Sequence, residues 1–290
     1  MIQSHILLID CPDQKGIIHS VTGALLEFGG NIISNREFVE VSEANEAEAK
    51  TAHFFMRTEF EADLARGKGK ELLKKVREVL LKKAQVRMPA SGKKRVVVLA
   101  TTEHHCLAEL LVQNAYNQLN IEVVAVVSNH EQLRELVEKF QLPFELASHE
   151  SRSQQEQEAA ALAAVKKYQP DFLVLAKYMR ILSAAFVREF PGRIINIHHS
   201  FLPAFVGANP YRQAYQRGVK IIGATAHWVT EKLDQGPIIA QDIARVSHAF
   251  DVAKLRQAGQ EVEKSVLIKA VRLASEDRVF TKGNKTVIFE

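Results

Sequence analysis

The chain has 290 residues, 47% of them hydrophobic and 25% charged, which allows one large or two ordinary domains and an ample core. A net charge of +4 is too small to argue for nucleic-acid binding and suits an anionic small substrate. Two cysteines, Cys11 and Cys106, make no disulfide framework, the opening MIQSHILLID has no basic segment before an apolar core, and no apolar run approaches the ~20 residues of a membrane helix, so a soluble cytoplasmic protein without a membrane partner is expected.

Residues 4–10 alternate and then turn apolar, as a strand does, and Cys11-Pro12-Asp13-Gln14-Lys15-Gly16 breaks them. Helical periodicity follows through Ile17, Ile18, Val21, Leu25 and Leu26 until Gly29-Gly30 closes it. Residues 31–41 and 51–60 read as strands around a polar connection, 42–50. A helix over 68–83 and a short strand near Val86 complete the order βαββαβ, the ferredoxin-like split βαβ. The basic residues between Arg66 and Lys83 alternate with Leu72, Leu73, Val76, Val79 and Leu80 and with Glu71 and Glu78. That is an amphipathic helix with a solvated face, not a nucleic-acid patch. Residues 88–92 (MPASG) are the linker between a domain of residues 1–88 and one of residues 93–290.

The second domain opens with residues 95–100, apolar without alternation, as in a strand buried on both faces. A helix over 103–118, a strand over 121–128, a helix over 131–140, a short strand over 144–147, a helix over 153–168 and a strand over 172–176 follow. This repetition predicts an α/β fold with a doubly wound, mostly parallel sheet and ligands beyond the carboxyl ends of its strands. The loop Thr101-Thr102-Glu103-His104-His105-Cys106-Leu107 has no glycine and does not suit a phosphate cradle. Its histidines and cysteine are adjacent and have no C-x-x-C or H-x-x-x-H partner nearby, so no metal site is expected. The stretch reads as a helix start beside a site, with Cys106 a small buried residue. Lys177-Tyr178-Met179-Arg180-Ile181-Leu182 is a loop running into a helix, whose apolar members also suit a core.

The most informative stretch is 193–239. Ile194, Ile195 and Ile197 form a strand that sends Asn196 and His198 to one face, just before Pro203 and Gly207. His227 lies on the alternating strand 225–229, facing either this site or a neighbouring sheet. Asp234 occupies the turn Leu233-Asp234-Gln235-Gly236-Pro237 between two apolar strands. An amide, an imidazole and a carboxylate suit acyl chemistry: the first two donate to an oxyanion, and the third orients the imidazole or activates water. Structural roles for Asn196 as a strand end and His198 as a core histidine are the bland alternative. Ser200 has no G-x-S-x-G elbow and, with Leu202-Pro203, shapes the loop instead of acting as nucleophile. A strand over 241–246, an amphipathic helix over 252–273 and a hairpin over 278–289 around Gly283-Asn284 end the chain.

The sequence N-I-H-x-S-x-L-P at 196–203, followed by L-D-x-G-P-I at 233–238, resembles the formyltetrahydrofolate-dependent formyltransferase/hydrolase superfamily. The doubled His198-His199 is similar to its deformylase branch, where transferases usually have Pro at the second position. The resemblance runs from about Lys94 onward. D-x-x-G-I-I at 13–18 and L-x-x-x-G-x-N-I at 25–32 resemble an ACT domain. The resemblance implies hydrolysis of 10-formyltetrahydrofolate to tetrahydrofolate and formate, feeding purine synthesis and balancing one-carbon pools, with no cofactor, no metal and no covalent intermediate. Asp234 would take or relay the proton of the attacking water while holding His198, and Asn196 and His198 would donate to the formyl oxygen. Met179, Arg180, Ile181 and Leu182 would line the pterin slot, with His199, Ser200 and His227 completing the substrate site. The ACT-like part implies a homo-oligomer and an amino-acid effector near Asp13, Gly16, Gly29 and Asn31. Superfamily members that formylate glycinamide ribonucleotide carry a Gly/Ser-rich loop where residues 101–107 stand, so its absence leaves water as the acceptor. The rivals are a formyltransferase with another acceptor, a non-catalytic regulator that binds folate or amino acids, and a plain α/β domain whose motifs are coincidental.

Overall fold

In the computed structural model, which describes residues 1–41, 52–65, 67–80, 83–202 and 210–290, residues 1–92, 277–280 and 287–290 make one unit and residues 93–276 and 281–286 a second. The first unit contains β1 (Gln3–Pro12), α1 (Ile17–Glu27), β2 (Asn31–Val41), β3 (Ala52–Ala62), α2 (Lys68–Val79) and β4 (Gln85–Arg87). Its sheet runs β2-β3-β1-β4 with every pair antiparallel, the ferredoxin-like arrangement of an ACT-type domain. Alternation along β1 and β3 sends Leu7, Ile9, Phe54 and Met56 against Val21 and Leu25 of α1 and Leu72 and Val76 of α2. The opposite face packs Leu8 and Phe55 with Phe280 and Phe289 from the end of the chain. Helix α2 stops at Val79, short of the expected Lys83, because Leu80 adopts an extended backbone with ψ 167°. The predicted connection 42–50, Thr51, Arg66, Leu81 and Lys82 lie outside the described residues.

The second unit continues with β5 (Lys94–Ala100), α3 (His105–Ala115), β6 (Ile121–Ser128), α4 (Arg134–Lys139), β7 (Phe144–Leu146), α5 (Gln154–Lys167), β8 (Phe172–Ala176) and α6 (Ala184–Glu189). Then come β9 (Ile194–His198), α7 (Pro210–Arg217), β10 (Ile221–Trp228), β11 (Ile238–Arg245) and α8 (Val252–Ser275). A hairpin of β12 (Val279–Lys282) and β13 (Lys285–Ile288) follows, its residues shared between the two units. Seven strands form one sheet in the order β11-β10-β9-β8-β5-β6-β7. The five from β9 to β7 are parallel, and β10 is antiparallel to both β9 and β11.

The unbroken apolar runs are buried as expected of a covered parallel sheet. Val96 to Ala100 have no exposed surface, and Val97, Leu99, Val127 and Leu173 pack with Ala161 and Val165 of α5 and Phe186 of α6. A reciprocal Ser153–Glu156 capping box starts α5. From β5 the sheet is extended one way through β6 and β7 and the other way through β8 and β9. The carboxyl ends of β5 and β8 therefore flank the crevice where such sheets bind ligands.

Several boundaries differ from the sequence-based expectation. Helix α3 begins at His105, not Glu103, and ends at Ala115, while the helix expected over 131–140 starts as a 3₁₀ turn over Glu131–Leu133. Strand β11 begins at Ile238, not Gln241, because Ile238 still pairs with His227. Helix α7 was not anticipated; it starts at a proline, which suits a first helical position. Among the described residues no helix is long and apolar enough to cross a membrane.

Candidate active site

Strand β9 ends in Asn196, half-buried, and His198, 8% exposed, two residues apart and on one face. Antiparallel pairing with β10 sets His227 directly opposite Asn196. The turn from β10 to β11 then brings Asp234 back over the pair. Asp234 has φ 52°, in the left-handed region that Asp tolerates better than most residues. At Gly236 a Cβ would stand 1.7 Å from the Trp228 carbonyl oxygen, so this close turn requires glycine. Sheet register and a tight turn thus assemble the four groups.

The Asp234 carboxylate lies with Oδ2 3.3 Å from His198 Nδ1 and Oδ1 3.6 Å from His227 Nε2. His227 Nδ1 donates to the Trp228 carbonyl at 2.9 Å, and the Asn196 amide nitrogen sits 3.3 Å from His227 Nε2. Hydrogen bonding from His198, then from His227, outweighs burial and holds the Asp234 carboxyl well below the usual carboxylate range. Asp234 is a fixed negative charge. His199 stacks on His198, ring centroids 4.9 Å apart and planes 21° from parallel. Burial, with the Lys177 and His198 charges, lowers the His199 imidazole to about 4, so it is neutral at pH 7. The Nε2 atoms of His198 and His199 are buried and have no hydrogen-bond partner among the described residues.

These groups open onto a cleft of about 300 Å³ within the second unit. One wall is Lys177 to Leu182, the other Val229 to Asp234, and the floor is Asn196 to His199 with His227. The Met179 amide donates to Thr101 Oγ1 at 3.0 Å, while the side chains of Met179 and Ile181, 60% and 62% exposed, stand at the rim. Asn196, His198, Asp234, Met179, Arg180, Ile181, Leu182, His199 and His227 are therefore brought to one cleft. Ser200 is not among its lining residues. It is buried, and its carbonyl accepts from Thr225 Oγ1 at 2.9 Å. Pro203 and Gly207 lie outside the described residues. Asp13, Gly16, Gly29 and Asn31 belong to the first unit, where Gly16 (φ 88°) and Gly29 (φ 72°) flank α1 and Asn31 opens β2.

One cluster was not legible in the sequence. The Glu263 side chain of α8, 1% exposed, stands 2.7 Å from His105 Nε2 and 3.2 Å from Lys177 Nζ, and accepts the Tyr211 hydroxyl hydrogen bond. Burial would raise its carboxyl, but the His105 hydrogen bond, the Lys177 charge and the Tyr211 hydroxyl win and hold it at about 2. Ligand atoms of His105, Cys106 and Glu263 fall within 4.8 Å of one another. The metal partner missing from the local sequence is thus 158 residues away. Yet Lys177 already supplies a cation to this carboxylate, and burial followed by the Glu263 charge pushes the Cys106 thiol up. A protonated thiol beside an ammonium suits a lysine-filled site, not a metal. The available signal was a carboxylate four residues after Gly259 and four before Leu267, on the buried stripe of α8.

The profile of the formyl transferase family matches residues 94–271. The formyltetrahydrofolate deformylase of Haemophilus influenzae is 47% identical over 99% of this chain and 100% of its own length. The chain belongs to the formyltetrahydrofolate deformylase family. The Bacillus subtilis deformylase is 44% identical, covering 98% of this chain and 93% of its own. A crystal structure of a deformylase from Pseudomonas syringae matches with a TM-score of 0.90 at 38% identity, covering 100% of this chain and 95% of that one.

For this deformylase-family chain the His199 shift sets a pH dependence. An imidazole at about 4 in the folded state, against 6.5 ordinarily, binds fewer protons folded than unfolded between those values. Its contribution to stability is present above pH 6.5 and is lost as the pH falls toward 4. Urea midpoints at pH 7.5 and pH 5 check this: the native chain is expected to lose more stability on acidification than His199→Gln does.

Proposed function

We propose that the protein hydrolyses 10-formyltetrahydrofolate to tetrahydrofolate and formate, feeding formate to purine synthesis and balancing one-carbon pools. The observation that carries the mechanism is Asp234 on the Nδ1 side of His198, with His198 Nε2 left without a partner among the described residues. With its Nδ1–H on Asp234, the His198 imidazole offers its Nε2 lone pair to a water. Water attacks the formyl carbon, its proton passes to Nε2, and the Asn196 amide donates to the developing oxyanion. Collapse breaks the bond between carbon and N10 as the imidazolium returns the proton to that nitrogen. The resemblance implies that Asp234 takes or relays the water's proton; its carboxyl, held well below the usual carboxylate range, is a weak base, so this scheme gives the proton to His198 and leaves Asp234 to balance the imidazolium charge. Met179 to Leu182 are assigned to the pterin ring, and His227 and the neutral His199 to shaping the floor beneath the formyl group. The scheme uses no metal and no cofactor.

The first unit is assigned to assembly and control in the cytoplasm. Strand β2 is the last in its sheet and exposes Ile33 and Val41, 55% and 56% accessible, which supports self-association along that edge. A free amino acid is the proposed effector, at the turn from Asp13 to Gly16 and the stretch from Gly29 to Asn31. Calorimetry with the twenty amino acids is expected to show one that binds and alters the rate; no binding and no rate change would remove the effector from this account.

Formate release by the purified protein without added acceptor tests the catalytic assignment. Asn196→Ala and Asp234→Asn are expected to keep the fold and folate binding and to lose at least ~10²-fold in turnover. Near-normal turnover in either variant would overturn the role assigned to that residue.

A further inference from the structure

Three neighbouring parallel strands, β9, β8 and β5, send their carboxyl-end connections to one carboxylate. His105 begins the helix after β5, Lys177 is the residue after β8, and Tyr211 lies in the helix after β9. All three meet Glu263 of α8: His105 Nε2 at 2.7 Å, Lys177 Nζ at 3.2 Å, and the Tyr211 hydroxyl as a hydrogen bond to Oε1. The fit is built on both sides. One turn before Glu263, a Cβ at Gly259 would stand 2.2 Å from the Tyr211 hydroxyl oxygen, so a glycine there is what lets that ring lie against α8.

Lys177 carries a second sign of constraint. Its φ is 61°, a left-handed conformation that an ordinary side chain adopts only when its surroundings enforce it. The five residues after it, Tyr178 to Leu182, form one wall of the cleft. The ammonium on Glu263 holds the chain where that wall begins. A buried charge cluster is a poor source of stability compared with apolar packing, so its placement under three loop roots calls for another reason.

We propose that Glu263 is a positioning residue of the active site: by binding His105, Lys177 and Tyr211 together, it fixes the loops after β5 and β8 and the start of α7 in the arrangement that admits the folate. This rests on the deformylase reading for its kinetic readout. It assigns Glu263 no contact with substrate, and it makes the cation of this cluster the lysine ammonium.

Tyr211→Phe and Glu263→Gln test it. Tyr211→Phe removes one hydroxyl and leaves the ion pair, so it stays folded even if Glu263→Gln does not. The expected result is a raised KM for 10-formyltetrahydrofolate and a kcat/KM lowered about tenfold in Tyr211→Phe and ~10²-fold in Glu263→Gln, as small displacements of a binding wall produce. A merely structural role would lower the unfolding midpoint and leave KM of the folded fraction unchanged, and that result would overturn the proposal. Stoichiometric zinc in the purified native protein, lost on Glu263→Gln, would overturn it as well. If the native chain releases no formate, the hydrolase reading has failed by itself. Folate binding followed by fluorescence then decides: weaker binding by Tyr211→Phe supports the positioning role, and equal binding contradicts it.

Discussion

One carboxylate between two imidazoles organises the cleft of the second unit. Asp234 reaches both His198 and His227 because β10 pairs with β9 in a register that sets His227 against Asn196, and because a glycine two residues later lets the turn close on the Trp228 carbonyl. A one-residue slip of that register would send every side chain of β10 to the opposite face, removing His227 from the site. The antiparallel strands at one side of an otherwise parallel sheet therefore place His227 and Asp234 at the cleft as well as extending the fold.

The second buried charge system does different work. Asp234 holds groups that face the cleft, whereas Glu263 lies behind it and holds the roots of the surrounding loops. Both carboxyls are kept ionised by donors aimed at them, so neither is left as an unpaired buried charge. His199 is connected to both systems: it stacks on His198, and the Lys177 charge helps to keep it neutral. A neutral imidazole at this place leaves no positive charge on the ring stacked against His198.

Much of this was legible in the sequence where the deciding periodicity is local. The two-residue repeat of a strand puts Asn196 and His198 on one face, and Leu233-Asp234-Gln235-Gly236-Pro237 announces a turn between strands. The repeated strand and helix patterns likewise announce a wound parallel sheet. That Asp234 touches His198 depends on strand pairing, which no local pattern shows, and there the resemblance to known folate enzymes carried the reading. Glu263 was missed for the same reason: a charged residue in an amphipathic helix looks like solvated surface until the neighbours that bury it are known. The resemblance implies a place for Ser200 in the substrate site, but Ser200 is not among the residues that line the cleft, and its carbonyl accepts from Thr225 Oγ1.

The central claim is that water, not an amine, receives the formyl group at His198. Turnover of 10-formyltetrahydrofolate in ¹⁸O-labelled water, with formate and tetrahydrofolate both quantified, tests it most directly. The account predicts tetrahydrofolate and formate in equal amounts, each formate carrying one oxygen from solvent. Formate without label, or tetrahydrofolate that appears only when an amine is added and becomes formylated, would contradict it.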